Sequence, residues 1–414
     1  METITSAGAG VSADELAAIE AAIRDEEPAY LADLEELVNI DCGSYTPEGV
    51  DEVGRFVAGF LADLGADVEA RPDPAGQLGA TIVGTLTGPK GARGSRALLI
   101  GHMDTVFDPG TVAERPFRVA EDGKTATGPG VTDMKSGLLA GLYALRALVR
   151  LGLLPFERLT FVANPDEEIG SPTSTPHIGA FAAESDVCFV LECARANGDI
   201  VSSRKGILDA RITVHGRAAH AGVEPEKGRS AILTAADLVP RLHALNGRWP
   251  GVTVNVGVIG GGTRPNVVAE QCRLEVDVRA VRREDLEAAE ATIVELLGDL
   301  AVPDTTAELE PMARWWPMEK LVRSGRLVDH AVALAGRLGF DLKDTSTGGA
   351  SDANSTAGLG VPSLDGLGPI GGNDHSPSEY LDLTSVVPRT ALFAALLLAV
   401  GRDPVVGEWR AERG

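Results

Sequence analysis

Three times in its first half this chain runs a short aliphatic stretch straight into groups that carry charge or exchange protons. ALLIGHMD reaches His102 and Asp104, LTFVANPDEE reaches Asp166, Glu167 and Glu168, and VCFVLE reaches Glu192. Runs this short and this aliphatic read as buried strands, expected at residues 81–86, 97–100, 159–163 and 187–191. Between them the pattern is helical, so residues 14–194 predict an α/β fold, a mostly parallel sheet with flanking helices. In an open sheet of this kind ligands bind at the carboxyl ends of the strands. The charged groups stand at those ends, which is where chemistry is to be sought.

From about residue 202 the order changes to strand 207–214, helix 229–245, strands 253–259 and 271–279, helix 283–300 and strand 305–310. That is β-α-β-β-α-β, the ferredoxin-like order, and it reads as a second domain inserted into the first. The expected division is 1–201 and 313–414 for the sheet domain and 202–312 for the insert. Helical periodicity resumes at 321–338, and 384–400 predicts an apolar final helix over the sheet, with Pro388 tolerated near its first turn. Residues before about 14 are expected to form a frayed tail.

Composition narrows the function. With 44% hydrophobic residues but only 4% aromatic, the cores should be aliphatic. Sixty acidic against 37 basic residues give a net charge of -23, a field that repels phosphate backbones and anionic lipid and argues against a nucleic-acid or membrane partner. No run approaches the ~18 apolar residues of a membrane span, and METITSAGAGVSADE lacks the basic and apolar regions of a secretory signal. The expectation is a soluble, cytoplasmic protein. The four cysteines, Cys42, Cys188, Cys193 and Cys272, form no CxxC pair and are expected to be buried free thiols.

The residues that carry chemistry come from five segments. In ALLIGHMDTV, period-2 geometry places His102 and Asp104 on one side of the chain. GPGVTDMKSG sets a glycine-rich turn with Asp133 and Lys135 before a long helix, a shape that an ordinary helix cap does not require. NPDEEIGS crowds three acids at the end of a buried strand, costly unless cations are present or one acid stays protonated. VCFVLE adds Glu192, and GGNDHSPSEYL puts His375 in a polar loop before the last helix. Two histidines and three carboxylates (His102, Asp133, Glu168, Glu192, His375), with no thiolate, suit zinc or its harder neighbours. Two cations sharing one carboxylate would each keep one histidine and one further acid. A metal-bound water has a pKa of about 7, and Glu167, surplus to the ligand count, could shuttle its proton.

GHMDTV, GPGVTDMKSG, NPDEEIGS, VLE, GRAAHAG, RPNVV, VDVR, TGGASDAN and GNDHSPSEY stand in an order and spacing that resemble the M20 family of metallopeptidases, and within it the glutamate carboxypeptidases of the carboxypeptidase G2 type. The resemblance covers nearly the whole chain. It implies Asp133 as the bridging ligand between two zinc ions, with His102 and Glu192 on one and Glu168 and His375 on the other; Co2+ or Mn2+ are possible substitutes. It implies Glu167 as general base and Asp104 as the carboxylate orienting His102. It makes the insert a lid and homodimerisation surface, with His220 stabilising the oxyanion in the partner subunit's site. Arg279 and Asn266 match positions that hold the substrate's free carboxylate, Gly349 a backbone contact, and Arg314 a further candidate for the same carboxylate.

The expected activity is amide hydrolysis on a small peptide or N-acyl amino acid, releasing an amino acid with a free carboxylate, glutamate as the first expectation. The alternatives are an N-acyl amino acid amidohydrolase, a dipeptidase or aminopeptidase, and a catalytically silent metal-binding scaffold. Glu167 argues against the scaffold, because binding alone needs no surplus acid.

Overall fold

The computed structural model describes Gly8, residues 10–88 and residues 94–413. The chain divides into two compact units. One comprises Met1–Ser202, Lys320–Ser346 and Ser351–Gly414, the other Ser203–Glu319 with Thr347–Ala350.

The first unit is built on a six-stranded mixed sheet in the order Asp67–Arg71, Thr81–Thr87, Arg158–Asn164, Arg96–His102, Val187–Val190, Ser363–Leu364. The last four run parallel, and Thr81–Thr87 joins Arg158–Asn164 antiparallel. Arg96–His102 is buried from Ala97 onward and Val187–Val190 throughout, as expected of parallel strands covered on both faces, which explains their unbroken aliphatic sequence. Residues His102 and Asn164 end neighbouring strands in register.

Two helices with almost no polar face pack in this core. Ser136–Arg150 is buried over nearly its whole length. Val386–Arg402 packs against it, and Phe393 meets Phe189 of the sheet edge to face at 5.8 Å. Leu383–Arg402 is apolar enough to cross a membrane, but 89% of its apolar window is buried inside the protein; it is a core helix. Each fully buried leucine here contributes about 1.5–3 kcal/mol. Gly137 allows the first helix to touch the sheet, since a Cβ there would stand 1.8 Å from the Leu191 carbonyl oxygen.

The frayed tail lies largely outside the described residues. Those described before residue 14 are tied down: the Gly8 N–H donates to His330 Nδ1, Arg402 donates to the Gly10 carbonyl, and Ser12 caps Ala13–Asp25 in a reciprocal capping box with Glu15. All four cysteines are buried and free.

The second unit has the order strand Gly206–His215, helix Ala231–His243, strands Thr253–Gly261 and Gln271–Ala280, helix Arg283–Leu297, strand Thr306–Trp315. Its four strands form one antiparallel sheet with Thr253–Gly261 and Thr306–Trp315 at the edges. The period-2 burial of Gly206–His215 and Gln271–Ala280 presents one face to the two helices. Ser230 ends the approach to the first helix by accepting the Leu233 N–H. The last strand continues past the expected boundary at 312, pairing with Gly206–His215 as far as Trp315 across a bulge at Pro311/Ala313 that shifts the register by one residue.

Candidate metal centre

Asp133 sits between the two histidines. Its Oδ1 lies 3.1 Å from His102 Nε2 and its Oδ2 lies 3.0 Å from His375 Nε2. Glu192 Oε1 is 3.7 Å from His102 Nε2, and Glu168 Oε2 is 3.2 Å from His375 Nε2. The five side chains thus form two groups of three, His102–Asp133–Glu192 and Asp133–Glu168–His375, each with its ligand atoms within 4.8 Å of one another.

Each residue is delivered by a sheet edge or a constrained loop. His102 ends its strand, Glu192 follows the neighbouring strand, and Glu167 and Glu168 open a short 3-10 turn after Arg158–Asn164. Asp133 lies in a turn where Gly130 takes φ +72°. His375 and Asn373 both have φ +60°, a left-handed conformation that costs a non-glycine residue about 1–3 kcal/mol. The loop holds it with local bonds: Ser376 Oγ donates to the Asn373 carbonyl at 2.7 Å and Asn373 Nδ2 donates to the Ser378 carbonyl at 3.2 Å.

These residues fit a cation. His102 Nδ1 is 3.0 Å from the Asp104 backbone carbonyl, which can only accept, so Nδ1 carries the proton in the neutral ring. The Nε2 lone pair then faces the oxygens of Asp133 and Glu192, an arrangement that only a proton or a metal ion makes favourable. Glu168 Oε1 is buried with no hydrogen-bond partner among the described residues. The proton affinities show the same excess of negative charge. Burial opposes a charge on His102, but Asp104, Asp133 and Glu192 outweigh it and raise its pKa well above the ordinary value. Hydrogen bonds that His375 donates to Asp133 and Glu168 push its pKa up to about 10. Burial, then the nearby Glu192 carboxylate, lift Glu167 well above the usual carboxylate range.

Asp104 is fully buried. Its carboxylate is 3.4 Å from His102 Nδ1, farther than its own carbonyl. Oδ1 accepts the Glu167 N–H at 3.1 Å, and Oδ2 accepts the Glu168 N–H at 3.2 Å and the Ser44 hydroxyl at 2.6 Å. It therefore holds the turn carrying both glutamates. Ser44 and Glu379 escaped the sequence reading. Glu379, 1% exposed, accepts the backbone N–H groups of Gly130, Thr132 and Asp133. The only signal was an acid four residues beyond His375, in a loop that reads as solvated. Beside Glu168, a recess of about 300 Å³ is lined by Tyr45, Val106, Phe107, Pro109 and Ile169, with Tyr45 76% exposed.

The remaining candidates lie in the second unit. His220 is exposed, and its Nδ1 accepts the Gly222 N–H at 3.2 Å. Asn266 is exposed and its carbonyl accepts the Ala221 N–H. Arg279 donates through Nε to both oxygens of Asp277 at 3.1 Å and through Nη1 to the Gly348 carbonyl at 2.9 Å, next to Gly349. Arg314 is paired with Glu290 and stacks on Trp316, so its charge is already partnered.

Comparison with known proteins agrees with this geometry. The chain is 33% identical to carboxypeptidase G2 of Pseudomonas sp. (strain RS-16), over 92% of this chain and 91% of that protein. It is 26% identical to the acetylornithine deacetylase of Edwardsiella ictaluri (strain 93-146), over 83% and 89%. Its fold is similar to that of aminopeptidase PepT from Bacillus cereus, with a TM-score of 0.72 and 24% identity over 90% of this chain and 98% of that one. The sequence profile of peptidase family M20/M25/M40 matches residues 98–399, a span that contains both groups of candidate ligands, and this chain belongs to that family of metal-dependent hydrolases.

Proposed function

We propose that this protein is a two-zinc carboxypeptidase that cleaves the amide bond before a C-terminal amino acid, glutamate first among the candidates. The observation that carries the reading is the orientation of Asp133, one oxygen toward His102 and the other toward His375. Asp133 would be shared between two ions, with His102 and Glu192 completing one set and Glu168 and His375 the other. When bound, the ions supply Lewis acidity toward the scissile carbonyl and make a water acidic enough to react near neutral pH.

Within this site the chain's own residues handle the protons. Glu167 takes the proton from the attacking water and returns it to the leaving amine. Asp104 keeps Glu167 and Glu168 in place through their backbone N–H groups. In this reading Arg279 and Asn266 hold the free carboxylate of the leaving amino acid, and His220 donates to the oxyanion. The active form is a homodimer assembled through the second unit. The edge strand Thr253–Gly261 supports that assembly, since it exposes Val258 and Ile259, and the adjoining helix exposes Ile232 and Leu233.

The relatives include carboxypeptidase and deacetylase names, and the recess beside Glu168 favours the first. An acetyl group does not need about 300 Å³ lined by an exposed tyrosine. The alternative is an N-acyl amino acid amidohydrolase that uses the same residues. The deciding experiment gives the zinc-loaded protein N-aroyl glutamate, its α-amide, N-acetylornithine and an unblocked dipeptide. Release of glutamate from the first and not from its amide is expected; equal rates on the free acid and the amide would remove the carboxylate anchor and with it the carboxypeptidase.

A further inference from the structure

Glu379 has no role in the chemistry above, yet it is buried against the residue on which that chemistry turns. Its Oε2 accepts the Gly130 N–H at 2.9 Å, and its Oε1 accepts the N–H groups of Thr132 at 2.8 Å and Asp133 at 3.1 Å. Those amides need an outside acceptor. Gly130 has φ +72°, and Asp133 has φ -115° and ψ 93°, so the turn follows neither helix nor strand. A buried carboxylate is costly unless its oxygens are satisfied, and three converging N–H groups satisfy it.

The other side of the turn is held by a cation. Lys135, 1% exposed, donates from Nζ to the carbonyls of Pro129 and Ile40, each at 3.3 Å. A carboxylate on the N–H side and an ammonium on the carbonyl side fix the backbone from which Asp133 projects.

The topology accounts for this meeting. Strand Tyr380–Asp382 pairs antiparallel with Thr125–Thr127, with Tyr380 opposite Thr127, so Glu379 arrives beside the turn that follows. Its neighbour strand Gly371–Gly372 lies so close to the same turn that a Cβ on Gly371 would stand 1.9 Å from Thr132 Oγ1. One loop thus carries both His375, 3.0 Å from Asp133 Oδ2, and the carboxylate that binds the Asp133 N–H.

We infer that Glu379 is a positioning residue that locks the Asp133 turn to the His375 loop, so that the Asp133 carboxylate faces both histidines at once. The inference rests on the reading of Asp133 as the shared ligand. Its effect falls mainly on the Asp133–Glu168–His375 group, because His375 has 56% of its side chain exposed and depends on this loop, whereas His102 is fixed by its strand.

Glu379→Gln and Glu379→Ala test it with Co2+ as the probe. Gln keeps the oxygen that serves Thr132 and Asp133 but turns an amino group on the Gly130 N–H. The parent protein is expected to bind two Co2+ ions. Glu379→Gln should melt within a few degrees of the parent, keep one ion at parental affinity and bind the second about 10- to 100-fold more weakly, with an altered visible cobalt spectrum. Glu379→Ala should lose more. Two ions held at parental affinity with an unchanged spectrum would overturn the inference, as would a fall in melting temperature with both ions weakened equally. If the parent binds only one ion, the shared-ligand reading fails first and takes the inference with it.

Discussion

The candidate residues of the two units are held in different ways. In the first unit every group is fixed by another: Asp133 between two histidines, Asp104 on the backbone of Glu167 and Glu168, and Glu379 on the backbone of Asp133. In the second, His220 and Asn266 stand exposed with local backbone bonds, and Arg279 already has Asp277 as its partner. The first set is held by its own contacts, whereas in the proposed reading Arg279 would have to exchange Asp277 for a substrate carboxylate. Substitutions of Asp133, Glu167 and the residues that hold them should therefore change metal content or kcat, and those at Arg279 should change KM.

The most severe test of that contrast is Asp133→Ala, which removes the ligand common to both groups. Bound metal measured by atomic absorption should fall below one ion per chain and hydrolysis below detection; two retained ions would end the comparison. Next is Glu167→Gln, expected to keep full metal content while kcat falls about 10²- to 10⁴-fold, the usual contribution of a general base. A parental kcat in that variant would leave the surplus acid without a role. Arg279→Gln should raise KM about 10- to 100-fold, as expected for a charged hydrogen bond worth about 1.5–3 kcal/mol, with kcat little changed. A fall in kcat alone would move Arg279 into the organised set. The smallest effect is expected from Tyr45→Ala, about 2- to 10-fold in KM for N-aroyl glutamate and none for N-acetylglutamate, in keeping with the energy of one aromatic contact.

The sheet and His102, Glu168 and Glu192 were legible because strand ends impose them, whereas Asp133 and His375 were marked by a glycine-rich turn and a polar loop. A run such as ALLIGH or VCFVLE has one reading in a parallel sheet, and its terminal residue must fall at the edge where the others fall. Ser44 and Glu379 were not legible, since their partners are a distant carboxylate and backbone N–H groups that no periodicity marks. Asp277 is different. It stands two residues before Arg279 on one strand, where period 2 puts both side chains on one face, so this pair was open to inference from VDVR. Arg314 and Glu290 lie on a strand and a helix whose packing the pattern does not specify.

The sharing of Asp133 between His102 and His375 also orders events during synthesis. His102, Asp133, Glu168 and Glu192 are all made in the first half of the chain, whereas His375 follows the whole second unit. A nascent chain therefore holds the candidate group His102–Asp133–Glu192 before the second unit is made and gains the Asp133–Glu168–His375 group only after it. Any product terminated before His375 carries only the His102–Asp133–Glu192 group, so in the proposed reading the hydrolytic site is completed only once the second unit has been made.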